Sequence, residues 1–553
     1  MSDLTNTSSS SRSIKEIVPD LEGGVPEMED KEDLTNGSAL TTLENNLNPG
    51  LDDSKISVDE HIELAALPKS TKNLLLLCFC TSMFIDVAGV TATILMTAEI
   101  SKELGIGVGD QAWVLGTYAI AFAASLLLAG RLADLYSPSV VYTIGFVGIA
   151  ILNLIISFLN DRYSFFILRA ISALAAVLTI PSSINMIGKY SKIHTASVPM
   201  LTILLRCTIV QMYPDPEEQT KKLSLFGVAG ALSNTVAMIL AGLFLLASWK
   251  WYFRFVTIIV TPFAFLAWKY MPPTKAVSSS LSGRDKLKRL DLIGVILLLS
   301  ALVLFILGFT QAESRGWSSV IFLVPFLVSL VLFGLFVYWE MSLEEGLGLL
   351  PKRVWSFPNI FQLIIMALAI NLWFNTTQLR LSTYFQDVLD ISPIITGVKM
   401  LPMGITALIT GFLTQPFPFL VTKPRIVLPI CTLLCLVGSL LFAFSDGGEG
   451  MMYWKFVFPG LVIGTIGGII AYISANTCII QAFPISYAGI SGSFANVIFQ
   501  IGGVIGVAIQ AGLLNTGDGT LEDWTGSKNS YLFAGAVIVS SGLVMLTYGE
   551  RKV

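Results

Sequence analysis

The stretch QAWVLGTYAIAFAASLLLAGRLADLYSPSVVYTIGFVGIAILNLIISF, residues 111–158, consists of two apolar runs joined by a short polar turn. Neither 111–130 nor 139–158 contains a charged residue. At 1.5 Å per residue, about 20 apolar residues make a helix that crosses the hydrocarbon core of a bilayer. The charges, Arg131 and Asp134, are confined to the turn, three residues apart. The pattern predicts a helical hairpin through a membrane with its polar turn at one surface.

Composition extends that reading to the whole chain. Its 553 residues are 54% hydrophobic and 13% charged, with a mean hydropathy of +0.73. A soluble protein carries about 25% charged residues. Residues 1–70 are different: 15 Asp/Glu stand against 5 Lys/Arg among many Ser, Thr, Asn and Gly. The rest of the chain is net basic, so the acidic balance belongs to this segment. It is poor in aromatics and cannot bury enough surface to offset its chain entropy, so a disordered cytosolic tail is expected. It also lacks the basic-then-apolar order of a signal peptide.

From residue 73 onward fourteen apolar runs follow, near 73–97, 111–130, 139–158, 163–187, 223–246, 251–271, 291–311, 318–340, 359–385, 393–414, 424–444, 454–480, 487–513 and 530–548. Barrel strands would give short alternating segments instead. With the amino terminus cytosolic, sixteen Lys/Arg fall on inside loops and five outside (Lys102, Arg162, Lys250, Arg315 and Lys528). This bias places both termini in the cytosol. The linker PPTKAVSSSLSGRDKLKRL, residues 272–290, divides six spans from eight.

The turn Gly130-Arg131-Leu132-Ala133-Asp134 resembles the loop signature of the major facilitator superfamily, in which such charges form a conformational latch. The second half of that signature is missing, because Ser137-Pro138-Ser139 stands where Gly and two basic residues are usual. Other stretches are similar to the fourteen-spanner drug:proton antiporter branch, the fungal-type multidrug or toxic-compound exporters. RLDLIGVILLL with RGWSS, residues 289–299 and 315–319, looks like its seventh span. SWKWYF (248–253), GLLPKRVW (348–355) and YFQDVLDISPIITGVKMLP (384–402) resemble its motifs around spans six, nine and ten. AGISGSFANVIFQIGGVIGVAI (488–509) is similar to its thirteenth span, a small-residue surface. Two departures stand out. Span five keeps Gly227, Gly230 and Gly242 but lacks the usual proline, and span one keeps little beyond Asp86.

The resemblance implies an all-α membrane protein with the major facilitator fold: two six-helix bundles plus two extra helices, fourteen transmembrane helices in all. The divisions are 1–70 tail, 71–272 first bundle, 273–357 linker and two extra helices, 358–548 second bundle, and 549–553 cytosolic tail. It implies proton-coupled export of small amphipathic or toxic compounds by alternating access, from a monomer. The plasma membrane is the expected location, the vacuolar membrane the other setting. Transport of a defined polar solute (an amino acid, siderophore or inorganic acid) or a non-transporting sensor are the alternatives.

An ionisable residue at mid-helix costs about 2.5–3.5 kcal/mol on insertion scales, so it has a partner or a task. Asp86, in span one, is either satisfied by neighbouring hydroxyls such as Thr91 or faces the central cavity as the proton carrier. Arg169, in FFILRAISALAA, either snorkels outward or carries coupling, matching the basic residue of the family's span four. Arg380 and Lys399, near the ends of spans nine and ten, are expected to snorkel. Asn371, Asn375 and Gln378 share one face of span nine, and Asn496 with Gln500 forms a similar pair in span thirteen. These amides are either substrate contacts or interhelical hydrogen-bonding groups.

Several chemistries are excluded. His61 and His194 fall in the tail and a loop, and Cys78-x-Cys80 and Cys431-x₃-Cys435 lack His partners, so no metal site is expected. No P-loop is present, so ATP is not the expected energy source. No cofactor, catalytic activity or nucleic-acid partner is expected; the small-molecule substrate, the proton and the lipid bilayer are the expected partners.

KYSKIHTASVPMLTILLRCTIVQM, residues 189–212, is anomalous. Its apolar part, 198–212, is too short for a span and contains Pro199 and Arg206. Counting it as one would invert the downstream charge bias. An atypical loop insert at 189–211 is expected, either an interfacial helix or a segment absent from the mature protein. Gly188-Lys189-Tyr190 can be encoded by a splice-donor sequence and Gln211 by an acceptor.

Overall fold

The computed structural model describes residues 67–107, 110–187, 216–271, 286, 289–343, 347–350, 352–414, 417, 419–483, 488–516 and 522–549. The expectations for the 1–66 segment and for the 189–211 insert lie outside the described residues.

Helix α1, Lys69–Leu104, ends where Gly105 adopts φ 64° and returns its N–H to Ser101, the left-handed cap that glycine makes without strain. Helix α2 is Gln111–Leu135 and α3 is Pro138–Ile156, whose first-position proline needs no hydrogen-bond partner for a missing N–H. Asp161 caps α4, Arg162–Val177, by accepting from the Ser164 N–H at 2.8 Å. That bond holds the Asp161 carboxyl below its ordinary value. Next come α5 (Thr179–Ile187), α6 (Pro216–Leu245) and α7 (Trp249–Tyr270). A hairpin follows, α8 (Leu292–Arg315) and α9 (Val320–Ser342), turning at Gly316 with φ 81°. The chain closes with α10 (Ile360–Thr383), α11 (Pro393–Thr414), α12 (Pro424–Ala443), α13 (Phe458–Ala482), α14 (Ala488–Leu513) and α15 (Trp524–Met545).

Among the described residues, twelve helices are long and apolar enough to cross a membrane. The expected count of fourteen is thus supported for twelve. In helix α6 the described residues give an apolar stretch over Leu232–Leu245, and the full run at 223–246 contains no charged residue. Helix α15 carries Lys528, Asn529 and several Ser and Gly. Both are helical and packed within the assembly, α6 against α1 and α15 against α12.

Helices α1 to α7 pack chiefly on one another (α1 on α6, α2 on α4, α3 on α7), as do α10 to α15 (α10 on α14, α11 and α12 on α13). The two largest crossings between these groups are α2 with α14 and α6 with α11. The second is close because of small residues. A Cβ on Gly397 would fall 2.9 Å from the Met238 carbonyl oxygen, and one on Gly404 would fall 2.6 Å from Thr235 Oγ1. Helix α8 lies against α9, α2 and α14, whereas α9 presents Leu323, Leu327, Leu330 and Val331 outward, as lipid contact requires. A small apolar cluster stands apart from the main core at the α1–α2 turn end. It joins Ile94, Ala112 and Leu115 to Leu379, Val507 and Ala511 across the two groups.

Candidate functional site

Three helices of the first group bring Asp86, Tyr118 and Arg169 together. Asp86 sits midway along α1 and is 8% exposed, and the Tyr118 hydroxyl on α2 donates to its Oδ1. Arg169, two turns into α4 and 3% exposed, donates to Thr93 Oγ1 at 3.0 Å. Its guanidinium lies 4.7 Å from the centre of the Tyr118 ring and 5.8 Å from that of Phe253 on α7, contacts worth about 2 kcal/mol when desolvated. The acid and the base are therefore linked through one tyrosine, the hydroxyl engaged by one and the ring face by the other.

Burial overturns the snorkelling alternative for Arg169. For Asp86 the neighbouring hydroxyl that satisfies it is that of Tyr118, while Thr91 donates to Asn234 Oδ1 at 2.7 Å. Tyr252, buried beside this cluster, has no hydrogen-bond partner for its hydroxyl.

Two small cavities flank the cluster, each about 20 Å³, room for a single water. One lies within the first group and is lined by Asp86, Asn153, Ser172 and Tyr252. The other lies between the groups, with Asn375 of α10, Gln500 and Gly503 of α14, and Leu115 of α2 in its wall. Tyr118 and Arg169 line both. They form the partition between a carboxylate chamber and an amide-lined chamber.

The amides divide accordingly. Asn375 and Gln500 face the shared chamber. Asn371 instead donates to the Phe499 carbonyl at 2.6 Å, tying α10 to α14, and Asn496 donates to Gly492 in its own helix. Gln378 is buried and is not among the residues lining either chamber. Arg380 corrects the sequence reading. It is 3% exposed and donates to the Gln510 carbonyl at 3.0 Å, because α14 packs over it. Lys399 lies over the rings of Phe385 and Tyr453, 5.0 and 5.3 Å from their centres.

At the α2–α3 turn, Arg131 donates to the Gly348 carbonyl, in the connection leaving the α8–α9 hairpin. Gly130 lies against Ser493 of α14, whose Oγ would be 3.4 Å from a Cβ there. The side chain of Asp134 is outside the described residues.

The family model for the Major Facilitator Superfamily matches residues 74–507. The chain belongs to the Major Facilitator Superfamily. This Major Facilitator chain is 24% identical over 423 residues to the puromycin resistance protein pur8 of Streptomyces alboniger, covering 76% of each. It is 21% identical over 500 residues to the multidrug transporter mfsC of Aspergillus fumigatus, covering 89% of each. Among solved structures it is similar to a POT family transporter in complex with 5-aminolevulinic acid. The TM-score is 0.61 at 14% identity, over 86% of this chain and 95% of that one. The Major Facilitator chain is thus a multi-pass membrane transporter of small molecules with efflux proteins among its relatives.

Sequence reasoning missed Tyr118, Tyr252 and Thr93. Tyr252 was in plain view within SWKWYF, read there only as a helix entry. A tyrosine in an apolar helix raises the question of where its hydroxyl goes, and that question would have singled out both tyrosines.

Proposed function

We propose that the protein exports small molecules in exchange for protons, with Asp86 as the proton-carrying group and the chamber between the helix groups as the substrate site. What carries the reading is the shared partition, in which Tyr118 and Arg169 touch the carboxylate chamber and the amide chamber alike. When Asp86 takes a proton, its hold on the Tyr118 hydroxyl weakens and the Arg169 charge loses its counter-charge. Arg169 is then drawn toward a solute beside Asn375 and Gln500. Proton loss reverses this. Binding at one chamber thereby changes the free energy of binding at the other, as coupled exchange requires.

In this reading α6 and α15 also cross the bilayer, giving fourteen spans in bundles 71–272 and 358–548 with the α8–α9 hairpin between them. The bias of Lys and Arg supports cytosolic termini. The turn of Gly130, Arg131 and Asp134 is then the cytosolic latch, and the protein works as a monomer in the plasma membrane. A drug-sized ligand needs about 300 Å³ or more, so the closed chambers open only as the two helix groups separate.

The polar lining of Arg169, Asn375 and Gln500 favours a second reading, a defined polar or anionic solute. One experiment serves both. A deletion strain and an overexpressing strain are screened across toxic compounds and polar solutes, and accumulation is measured with and without a protonophore. Export that persists unchanged when the proton gradient is collapsed overturns the coupling.

A further inference from the structure

Asp291 and Glu340 lie at the joint of the α8–α9 hairpin, apart from both chambers. Asp291 precedes α8 with φ 43°, a left-handed conformation that Asp tolerates better than most residues. Its Oδ1 accepts from the Gly294 N–H at 3.1 Å and from Trp339 Nε1 at 2.8 Å. Glu340, near the end of α9, accepts from the Leu350 N–H through Oε2 at 3.0 Å. The remaining oxygens, Asp291 Oδ2 and Glu340 Oε1, are buried and receive no N–H or O–H from any other group. Both crowd one spot, since a Cβ on Gly294 would fall 2.4 Å from the first and 3.0 Å from the second. The two unpartnered oxygens thus share one buried pocket beside Gly294.

Two carboxylates placed there have no donor between them, whereas one protonated carboxyl can donate to the other. Charge counting agrees. The side chains are 6% and 1% exposed, and the cation facing the pair is Arg131 of α2. Lys286 lies over the Tyr136 ring, Arg289 stands two residues before Asp291, and at this end of α14 the neighbour of Gly130 is the neutral Ser493. Among the described residues, one positive charge against two buried negatives leaves a deficit that one proton fills.

We propose that Asp291 and Glu340 hold a single proton between them, a proton-binding site distinct from Asp86 at the joint between the hairpin and the α2–α3 turn. Losing that proton sets two negative charges face to face in a dry joint and loosens the Gly348 strand that Arg131 grips. The state of the turn then follows the protonation of the pair.

The test uses the full chain purified into lipid nanodiscs. Infrared difference spectra compare the wild type with Glu340→Gln and with Asp291→Asn. Each variant should lose the same single protonated-carboxyl signal, and raising the pH should remove that signal from the wild type. Thermal unfolding across pH is the second readout. The Glu340→Gln amide can donate permanently to Asp291 while still accepting from Leu350, so its unfolding midpoint should lose the decline with rising pH that the wild type has. Glu340→Ala should be less stable at every pH. Spectra unchanged in both amide variants, or parallel pH profiles for wild type and Glu340→Gln, overturn the proposal. So does failure of both amide variants to fold. An Asp86→Asn background should leave the difference between the Glu340 forms intact, which keeps this result separate from the fate of Asp86.

Discussion

Tyr118 and Asp86 meet hydroxyl to carboxylate where α2 packs on α1, and the reverse side of the same interaction is the Arg169 guanidinium over the tyrosine ring. Tyr118 thereby touches both charges. Replacing it with Phe keeps the ring and removes the donor. Leaving a buried acceptor unpaired costs about 1–3 kcal/mol. Tyr118→Phe is therefore expected to remain folded and membrane-inserted, while its export becomes at least tenfold less responsive to an imposed pH gradient. Gradient-driven uptake into vesicles measures this, and a wild-type response removes Tyr118 from the coupling.

Asp86→Asn should abolish uphill export without changing protein level or location. The amide keeps the shape and a hydrogen-bond acceptor for Tyr118 but holds no exchangeable charge. Export against a gradient, scored beside an immunoblot of membrane fractions, decides it; retained uphill export excludes Asp86 as the carrier.

Arg169→Lys keeps the charge and loses the planar fork that donates to Thr93 while lying on the Tyr118 ring. Partial transport is expected, and none from Arg169→Ala. Equal, near-normal rates for both variants would mean that the charge is structural only.

Gly397→Ala probes the α6–α11 crossing. Its Cβ would meet backbone at 2.9 Å, so the helices must separate rather than a side chain rotate. Overpacking of this kind costs about 1–3 kcal/mol. A lowered unfolding midpoint is expected, with faster cysteine cross-linker access to the α6–α11 seam. No change in either would show that the crossing is looser than these distances.

The expectation for 189–211 is checked by transcripts. If the segment is removed by splicing, most sequenced messages lack it, and messages that uniformly retain it rule the idea out.

The bundle was legible in the sequence because hydrocarbon thickness imposes a length on every apolar run, and charge placement orders the loops. Helix α15 is the weaker case for the same reason, since Lys528 and Asn529 dilute the apolar signal that a span needs, whereas the 223–246 run of α6 holds no charge. The site was half legible. A charge in hydrocarbon, such as Asp86 or Arg169, is conspicuous by its cost. Its partners are not, because Tyr118 and Thr93 are ordinary residues until packing brings them near. Arg380 was misjudged because distance along a helix says nothing about which neighbour covers it. The Asn371 and Asn375 pair shows the other limit, since one helical turn separates a residue that ties two helices from one that lines a chamber.

The detached apolar cluster of Ile94, Ala112, Leu115, Leu379, Val507 and Ala511 has a thermal consequence. It spans the two helix groups beside the amide chamber, with Ile94, Leu115 and Val507 in that chamber's wall, and parting it wets hydrocarbon. The resistance to parting is almost wholly entropic near room temperature and weakens on cooling. Chilling should therefore bias the resting protein toward opening at this end even as it slows the motion itself. Population and rate would then respond to temperature in opposite senses, and a larger side chain at Ala112 or Ala511 would move the balance without touching any charge.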